Sequence, residues 1–329
     1  MLRIKNTQDF LLNLYYGIPE FYLKGIGKKV YNKLLEKIFM KLANKYLPNY
    51  FEATKNDKSF SLNSFDETSN NQLIVSLTSF PGRIKTTHLA IETIFRQTLK
   101  PTRIILWLAE SQFPQRDNEL PDELIEQKKR GLEIWYCEDL RSHKKYYYAL
   151  KEFKDKVVIL MDDDLFFHKN VIKNLCRIHA KHPNAVVSTR VHKMKFQKNG
   201  QLLPYKKWFL NIKDDTPDVL NHHNSGHGTL IPPSVVLDDI FFDIDIINEF
   251  SLNSDDVWFK VNLIRLGIPV VTNKVFCRDT LAIKGTYKTS LVSKNTHKGM
   301  KDKQFKSTFN YFGVELNKES ITNFIGKIQ

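Results

Sequence analysis

The chain has 329 residues, 42% of them hydrophobic and 26% charged, and a formal net charge of +14; it can bury a full-sized core, which excludes a disordered chain. Three widely spaced cysteines, Cys137, Cys176 and Cys277, exclude a disulfide framework and a C-x-x-C zinc or redox site. No stretch of about eighteen apolar residues marks a membrane span, and a positive balance this large calls for an anionic partner.

The first residues, Met1 to Tyr16, mix Lys and Asp with apolar positions and lack the pattern of a secretory signal, so the expected location is cytoplasmic. Basic-region heptads, zinc-finger spacing and ribonucleoprotein motifs are absent from the sequence. The positive charge therefore points to a phosphate-bearing ligand or an anionic membrane surface, not to nucleic acid.

From Leu2 to about Tyr50 apolar residues recur at helical spacing (Tyr22, Ile26, Val30, Leu34, Leu35, Ile38) with Lys24, Lys28, Lys29, Lys33, Lys37 and Lys41 between them. This predicts a basic helical extension over residues 1–52, weakened near Gly25 and Gly27. It packs on the main domain with a solvated lysine face, or touches anionic lipid headgroups at the inner membrane face, and both can hold at once. Residues 53–71 turn polar and read as a linker.

Over residues 72–278 short apolar strands alternate with amphipathic helices, the pattern of an α/β fold with a mixed, mainly parallel central sheet. Strands are expected at Leu73–Leu77, Arg103–Leu108, Leu132–Tyr136, Val157–Met161 and Ala185–Val191, and helices at Thr87–Gln97, Pro121–Lys129, Ser142–Phe153 and Asn170–Lys181. Asn199-Gly200 predicts a tight turn. The segment through Gly226, Gly228 and Pro232-Pro233 reads as irregular, a further helix opens at Ser254, and residues 279–329 read as a tail packing on the domain.

Chemistry concentrates at Asp162-Asp163-Asp164, directly after the continuous apolar run Val157–Met161. Ligands of open α/β sheets bind at the carboxyl ends of the strands. Adjacent carboxylates repel one another unless a positive group balances them, and Mn²⁺ or Mg²⁺ carried by a diphosphate suits oxygen ligands such as Asp162 and Asp164. The alternative is that one acid caps the following turn while the others are solvated. A second pair, Asp255-Asp256, is either the ordinary acidic first turn of a helix capped by Ser254 or a general base. Lys144 and Lys145 open a helix where a diphosphate could lodge, and Thr78, Ser79, Phe80 and Arg83 surround a Pro-Gly turn that allows close ligand approach. The histidines show no zinc spacing, and His227 in Gly226-His227-Gly228 has no assigned role.

Together, Leu73 to Ser79, the acidic triplet and the Asp255-Asp256 pair resemble bacterial family 2-like glycosyltransferases of the GT-A fold, over roughly Gln72 to Phe276. The segments Ser-Leu-Thr-Ser-Phe-Pro and Ser-His-Lys-Lys-Tyr-Tyr are similar to a subgroup from capsule and lipooligosaccharide biosynthesis. The resemblance implies a catalytic domain over 72–278 and donor contact by Asp162 with Asp163 beside it; Thr78, Ser79, Phe80, Arg83, Lys144 and Lys145 are expected donor contacts from their own loops, and around Lys144-Lys145 the sequence departs from the family's Asn- and Gly-rich segment. The resemblance also implies a metal at Asp162 and Asp164, and a base at Asp256 or Asp255, where the family usually has Glu-Asp. The implied reaction is an inverting transfer from a nucleoside-diphosphate sugar, a UDP-sugar foremost, to a hydroxyl of a glycan or lipid-linked glycan. The competing expectations are a sugar nucleotidyltransferase and a non-catalytic glycan-binding module.

Overall fold

The computed structural model describes residues 7–18, 25–62, 72–286 and 299–326. Tyr22 and Lys24 of the expected basic helix, residues 63–71 of the expected linker and two stretches of the tail, 287–298 and 327–329, lie outside the described residues.

Two helices come first, α1 (Thr7–Gly17) and the 30-residue α2 (Gly25–Thr54), which runs past the expected end and carries Pro48 inside it. Leu11, Leu12 and Tyr15 of α1 pack with Phe39, Ala43, Leu47 and Phe51 of α2, and this cluster continues into the main domain through Leu89, Phe166 and Leu281.

The sheet begins with β1 (Leu73–Thr78), β2 (Arg103–Ala109), β3 (Leu132–Cys137) and β4 (Val157–Met161). Helices α3 (Ile84–Phe95), α4 (Asp122–Lys128) and α5 (Lys144–Glu152) connect them. Then follow β5 (Leu165–Phe166), α6 (Val171–His179), β6 (Val186–Ser188), β7 (Val191–Lys193), β8 (Asn221–His223), β9 (His227–Ile231), α7 (Ile244–Phe250), α8 (Asp255–Arg265), β10 (Val270–Val271) and β11 (Leu281–Ala282). Two helices close the described chain, α9 (Met300–Tyr311) and α10 (Lys318–Phe324).

Seven strands form the central sheet in the order β10-β6-β9-β4-β1-β2-β3. All neighbours are parallel except β9, which runs antiparallel to both β4 and β6. The expected mixed, mainly parallel α/β sheet is therefore present. β4 is buried on both faces, with Val158 to Met161 sealed from solvent, as its continuous apolar run requires.

Two expectations are corrected. Ala185–Val191 is not one strand: the chain leaves the central sheet after Ser188, and Val191–Lys193 pairs with β8 in a separate ribbon. The segment read as irregular supplies β9, a central strand. Its glycines mask it: Gly228, at φ +108, is a conformation other side chains rarely adopt, and His227 and Thr229 interrupt the apolar pattern. The Asn199-Gly200 turn forms, with Gly200 at φ +86 and Phe196 bridged to Leu202.

The strand order puts a topological switch point at the site. From β1 the chain steps outward to β2 and β3, then crosses back so that β4 lies on the other side of β1. Adjacent strands whose following connections diverge leave an opening above their carboxyl ends, and that is where Ser79–Arg83 and Asp162–Asp164 emerge.

Candidate active site

The first-strand loop reaches the acidic triplet directly. The Ser79 hydroxyl donates to Asp163 Oδ2 at 2.6 Å and is backed by the Thr87 hydroxyl at 2.7 Å. Arg83 Nη1 pairs with both Asp163 Oδ1 (2.9 Å) and Asp164 Oδ2 (3.0 Å). Phe80 lies against the Arg83 guanidinium at 5.6 Å and confines it. Thr78 turns its hydroxyl onto the Trp107 carbonyl of β2 instead, at 2.7 Å.

A lysine joins the triplet to the later acidic pair. Lys145, on the first turn of α5, sits between Asp162 Oδ1 (2.7 Å) and Asp255 Oδ2 (2.9 Å). Its own carbonyl accepts from Ser76 Oγ at 2.5 Å, and Ser76 is held in turn by the Trp107 indole N–H. Because β1 and β2 clamp its backbone, Lys145 has little freedom to leave the cluster. Lys144, one residue earlier, faces elsewhere and pairs with Asp139 at 2.7 Å.

The Asp255-Asp256 pair starts α8, but Ser254 makes no side-chain capping bond there. Both aspartates turn to Ser225, whose hydroxyl lies 2.9 Å from Asp255 Oδ2 and 2.6 Å from Asp256 Oδ1, while its N–H donates to Asp256 Oδ1 at 2.9 Å. Lys301, the second residue of α9, reaches Asp256 Oδ2 at 3.5 Å and lies 4.4 Å from the centre of the Tyr205 ring. Neither Ser225 nor Lys301 stood out in the sequence. Both come from segments without a motif, and only folding brings them to the acids.

Gly226 completes the floor. Its carbonyl accepts the Asp162 N–H at 2.7 Å, and a Cβ at this position would fall 1.7 Å from the Asp162 carboxylate. Next to it, Arg190 Nη1 donates to His227 Nε2 at 3.0 Å and its Nε lies 3.7 Å from Asp279. Sequence spacing left His227 unassigned, and the fold places it in this arginine-aspartate network.

The electrostatics follow from this crowding. Burial, with some relief from Arg83 and an added push from Asp162 and Asp163, raises Asp164 to about 7. Burial also raises Asp163, against the pull of Arg83 and the Ser79 hydrogen bond. Burial acts upward on Asp256 as well, yet Lys301, Lys145, His223 and the Ser225 bond outweigh it and hold that carboxyl well below its usual range. Lys145 gains more from Asp162, Asp255 and Asp256 than burial takes away, so it stays protonated.

Five carboxylates thus meet three cations, Arg83, Lys145 and Lys301. The repulsion that a metal was expected to relieve is relieved in part by the protein itself. Among the described residues no group of three or more His, Cys, Asp or Glu side chains is arranged to hold a metal ion. The ion pairs engage one oxygen of Asp162 and one of Asp164, so this donor set fits a cation that brings most of its own ligands, as a diphosphate-borne ion does.

No protein-family model matches the chain, and no curated protein matches it. Similar solved structures include the mannosyltransferase PcManGT from Pyrobaculum calidifontis in complex with GDP-Man and Mn²⁺, at 9% identity and TM-score 0.44, covering 98% of this chain and 79% of that one. TarS 1–349 of S. aureus aligns at 15% identity and TM-score 0.42, over 73% of this chain and 71% of its own. A CMP:2-keto-3-deoxy-manno-octonic acid synthetase complexed with CTP aligns at 8% identity and TM-score 0.38, over 61% and 89%.

Proposed function

We propose that the protein is a glycosyltransferase that moves a sugar from a nucleoside-diphosphate donor, a UDP-sugar foremost, to a hydroxyl of a glycan or lipid-linked glycan in surface-polysaccharide synthesis. The observation that carries the reading is Lys145, buried between Asp162 of the triplet and Asp255 of the later pair. It makes one site of two acidic motifs, since the residues it bridges, Asp162 and Asp255, are 93 positions apart, and it does so at the carboxyl ends of the strands, where ligands of such sheets bind.

In this reading Ser79, Arg83, Asp163 and Lys145 line the donor side, with Lys145 and Arg83 facing the diphosphate. Asp162 and Asp164 would hold Mn²⁺ or Mg²⁺, which supplies Lewis-acid stabilisation of the departing diphosphate. Asp256, more open than Asp255 at 20% against 10% side-chain exposure, is the proton acceptor for the attacking hydroxyl. Lys301 and Lys145 keep it ionised. A diphosphate that takes over part of the Lys145 charge weakens that hold and makes Asp256 more basic as the acceptor arrives. Attack from the side opposite the leaving group inverts the anomeric centre.

The test is release of nucleoside diphosphate from a panel of nucleotide sugars, with Mn²⁺ and with chelator, by the wild type and by Asp164→Asn. The reading predicts metal-stimulated release, reduced at least a hundredfold by the substitution. Turnover of a nucleoside triphosphate with a free sugar would assign a nucleotidyltransferase, and donor binding with no release would assign a binding module.

A further inference from the structure

Helix α2 has two apolar faces, and among the described residues only one of them is covered. Phe39, Ala43, Leu47, Tyr50 and Phe51 are buried against α1 and the main domain. On the other face Val30, Leu34 and Ile38 are 61%, 57% and 47% exposed, one per turn over two turns, so they form a continuous ridge. Phe10 and Leu14 make a similar exposed pair on α1.

The residues around the ridge define its partner. Between positions 30 and 46 every exposed side chain is either apolar or aromatic (Val30, Leu34, Ile38, Tyr46) or a lysine (Lys33, Lys37, Lys41, Lys45), and none is acidic. A protein-binding apolar ridge needs no such uniform rim of one charge, whereas a helix lying in a bilayer surface combines an apolar strip with flanking lysines that meet lipid phosphates. No helix among the described residues is long and apolar enough to cross a membrane, so contact is at the surface.

We infer that α2 docks on an anionic lipid surface, burying Val30, Leu34 and Ile38 at the level of the headgroups with Lys33, Lys37, Lys41 and Lys45 on the phosphates. The docked helix is tied to the acidic crevice. Asn44 donates to the Ala282 carbonyl (2.9 Å) and accepts from the Lys284 N–H (2.6 Å). Ala282 belongs to β11, which pairs with β5 immediately after Asp164. Through these bonds the docking of α2 sets the height of the acidic site above the lipid.

The experiment is sedimentation of the full chain with vesicles of phosphatidylglycerol and phosphatidylcholine and with vesicles of phosphatidylcholine alone. Wild type should pellet with the anionic vesicles and be released by salt. Lys37→Gln with Lys41→Gln should weaken partitioning about 25-fold, at about fivefold per lysine near such a surface. Leu34→Gln with Ile38→Gln should weaken it about tenfold or more, with thermal unfolding unchanged because both side chains are exposed. Equal binding to the two vesicle types, or full binding by the Leu34/Ile38 variant, overturns the inference. So does a wild-type dimer in light scattering that this variant dissociates, since the ridge then belongs to a second copy of the chain.

Discussion

Gly226 and Asp162 touch so closely that no side chain fits between them: the Gly226 carbonyl holds the Asp162 N–H, and a Cβ on residue 226 would coincide with the Asp162 carboxylate. The first carboxylate of the triplet therefore owes its direction, toward Lys145, to a missing methyl group on β9's approach. Gly226→Ala should displace that carboxylate and break the Lys145 pair, costing about 1–3 kcal/mol as overpacking does and about a hundredfold or more in donor turnover. Chemical denaturation and the release assay read the two effects separately. A variant as stable and active as wild type would show that Asp162 needs no fixed position.

Removing Lys145 tests the charge bridge. Lys145→Met leaves Asp255 buried without its cation, and breaking a buried pair in this way costs about 3–5 kcal/mol. Adding Asp255→Asn removes the stranded charge and should recover a large part of that loss. Additive losses in the double-mutant cycle would mean that the two side chains do not interact in solution.

Lys301 offers a test of Asp256 as the base. Taking away this cation raises the Asp256 carboxyl toward its usual range, because Lys301 is the largest influence opposing burial there. A base must be ionised to work, so the acidic limb of kcat/KM for Lys301→Met should move to higher pH. An unmoved limb combined with lower activity would leave Lys301 a purely structural role and the proton with another acceptor.

Stability should fall on acidification from about pH 6.5. Burial foremost keeps His192, His223 and His227 neutral, each lowered from 6.5 to about 3. Between those values the unfolded chain binds protons that the folded chain refuses, so stability is present above 6.5 and drains as pH drops. Asp164 acts oppositely: raised from 3.8 to about 7, it favours folding when protonated and loses that contribution as pH rises through 7. Burial also lowers His222, His143, His88 and His179, and it raises Asp163 and Glu36 beside Asp164; the lowered histidines outnumber the raised carboxyls, so unfolding near pH 5 takes up protons on balance. Urea midpoints measured from pH 7.5 to 4.5 should decline, and a flat or rising profile would contradict the buried neutral histidines.

The strands β1 to β4 were legible because each is a mostly apolar run of five to seven residues between polar connections, a length that suits a strand and is too short for a typical helix. The triplet was legible for the same reason, as an abrupt change from Met161 to Asp162 at a strand end. β9 was not, since Gly226 ahead of it and its own His227, Gly228 and Thr229 carry the marks of a loop. Their strand geometry comes from pairing with β4 and β6, which are distant in sequence.

The charge partners show the same division. Local pattern settled that acids stand at the end of a buried strand and at the start of a helix, because hydrophobic periodicity and helix-start chemistry act over a few residues. Which cations face them depended on the folded chain alone: Arg83 comes from the loop after β1, Lys145 from α5 and Lys301 from α9. Lys144 and Lys145 are equally basic neighbours in the sequence, yet one pairs with Asp139 and the other enters the crevice. Both are buried, but adjacent helix positions point about 100° apart, and the packing of α5 on β1, through Ser76, decides which of them faces Asp162 and Asp255.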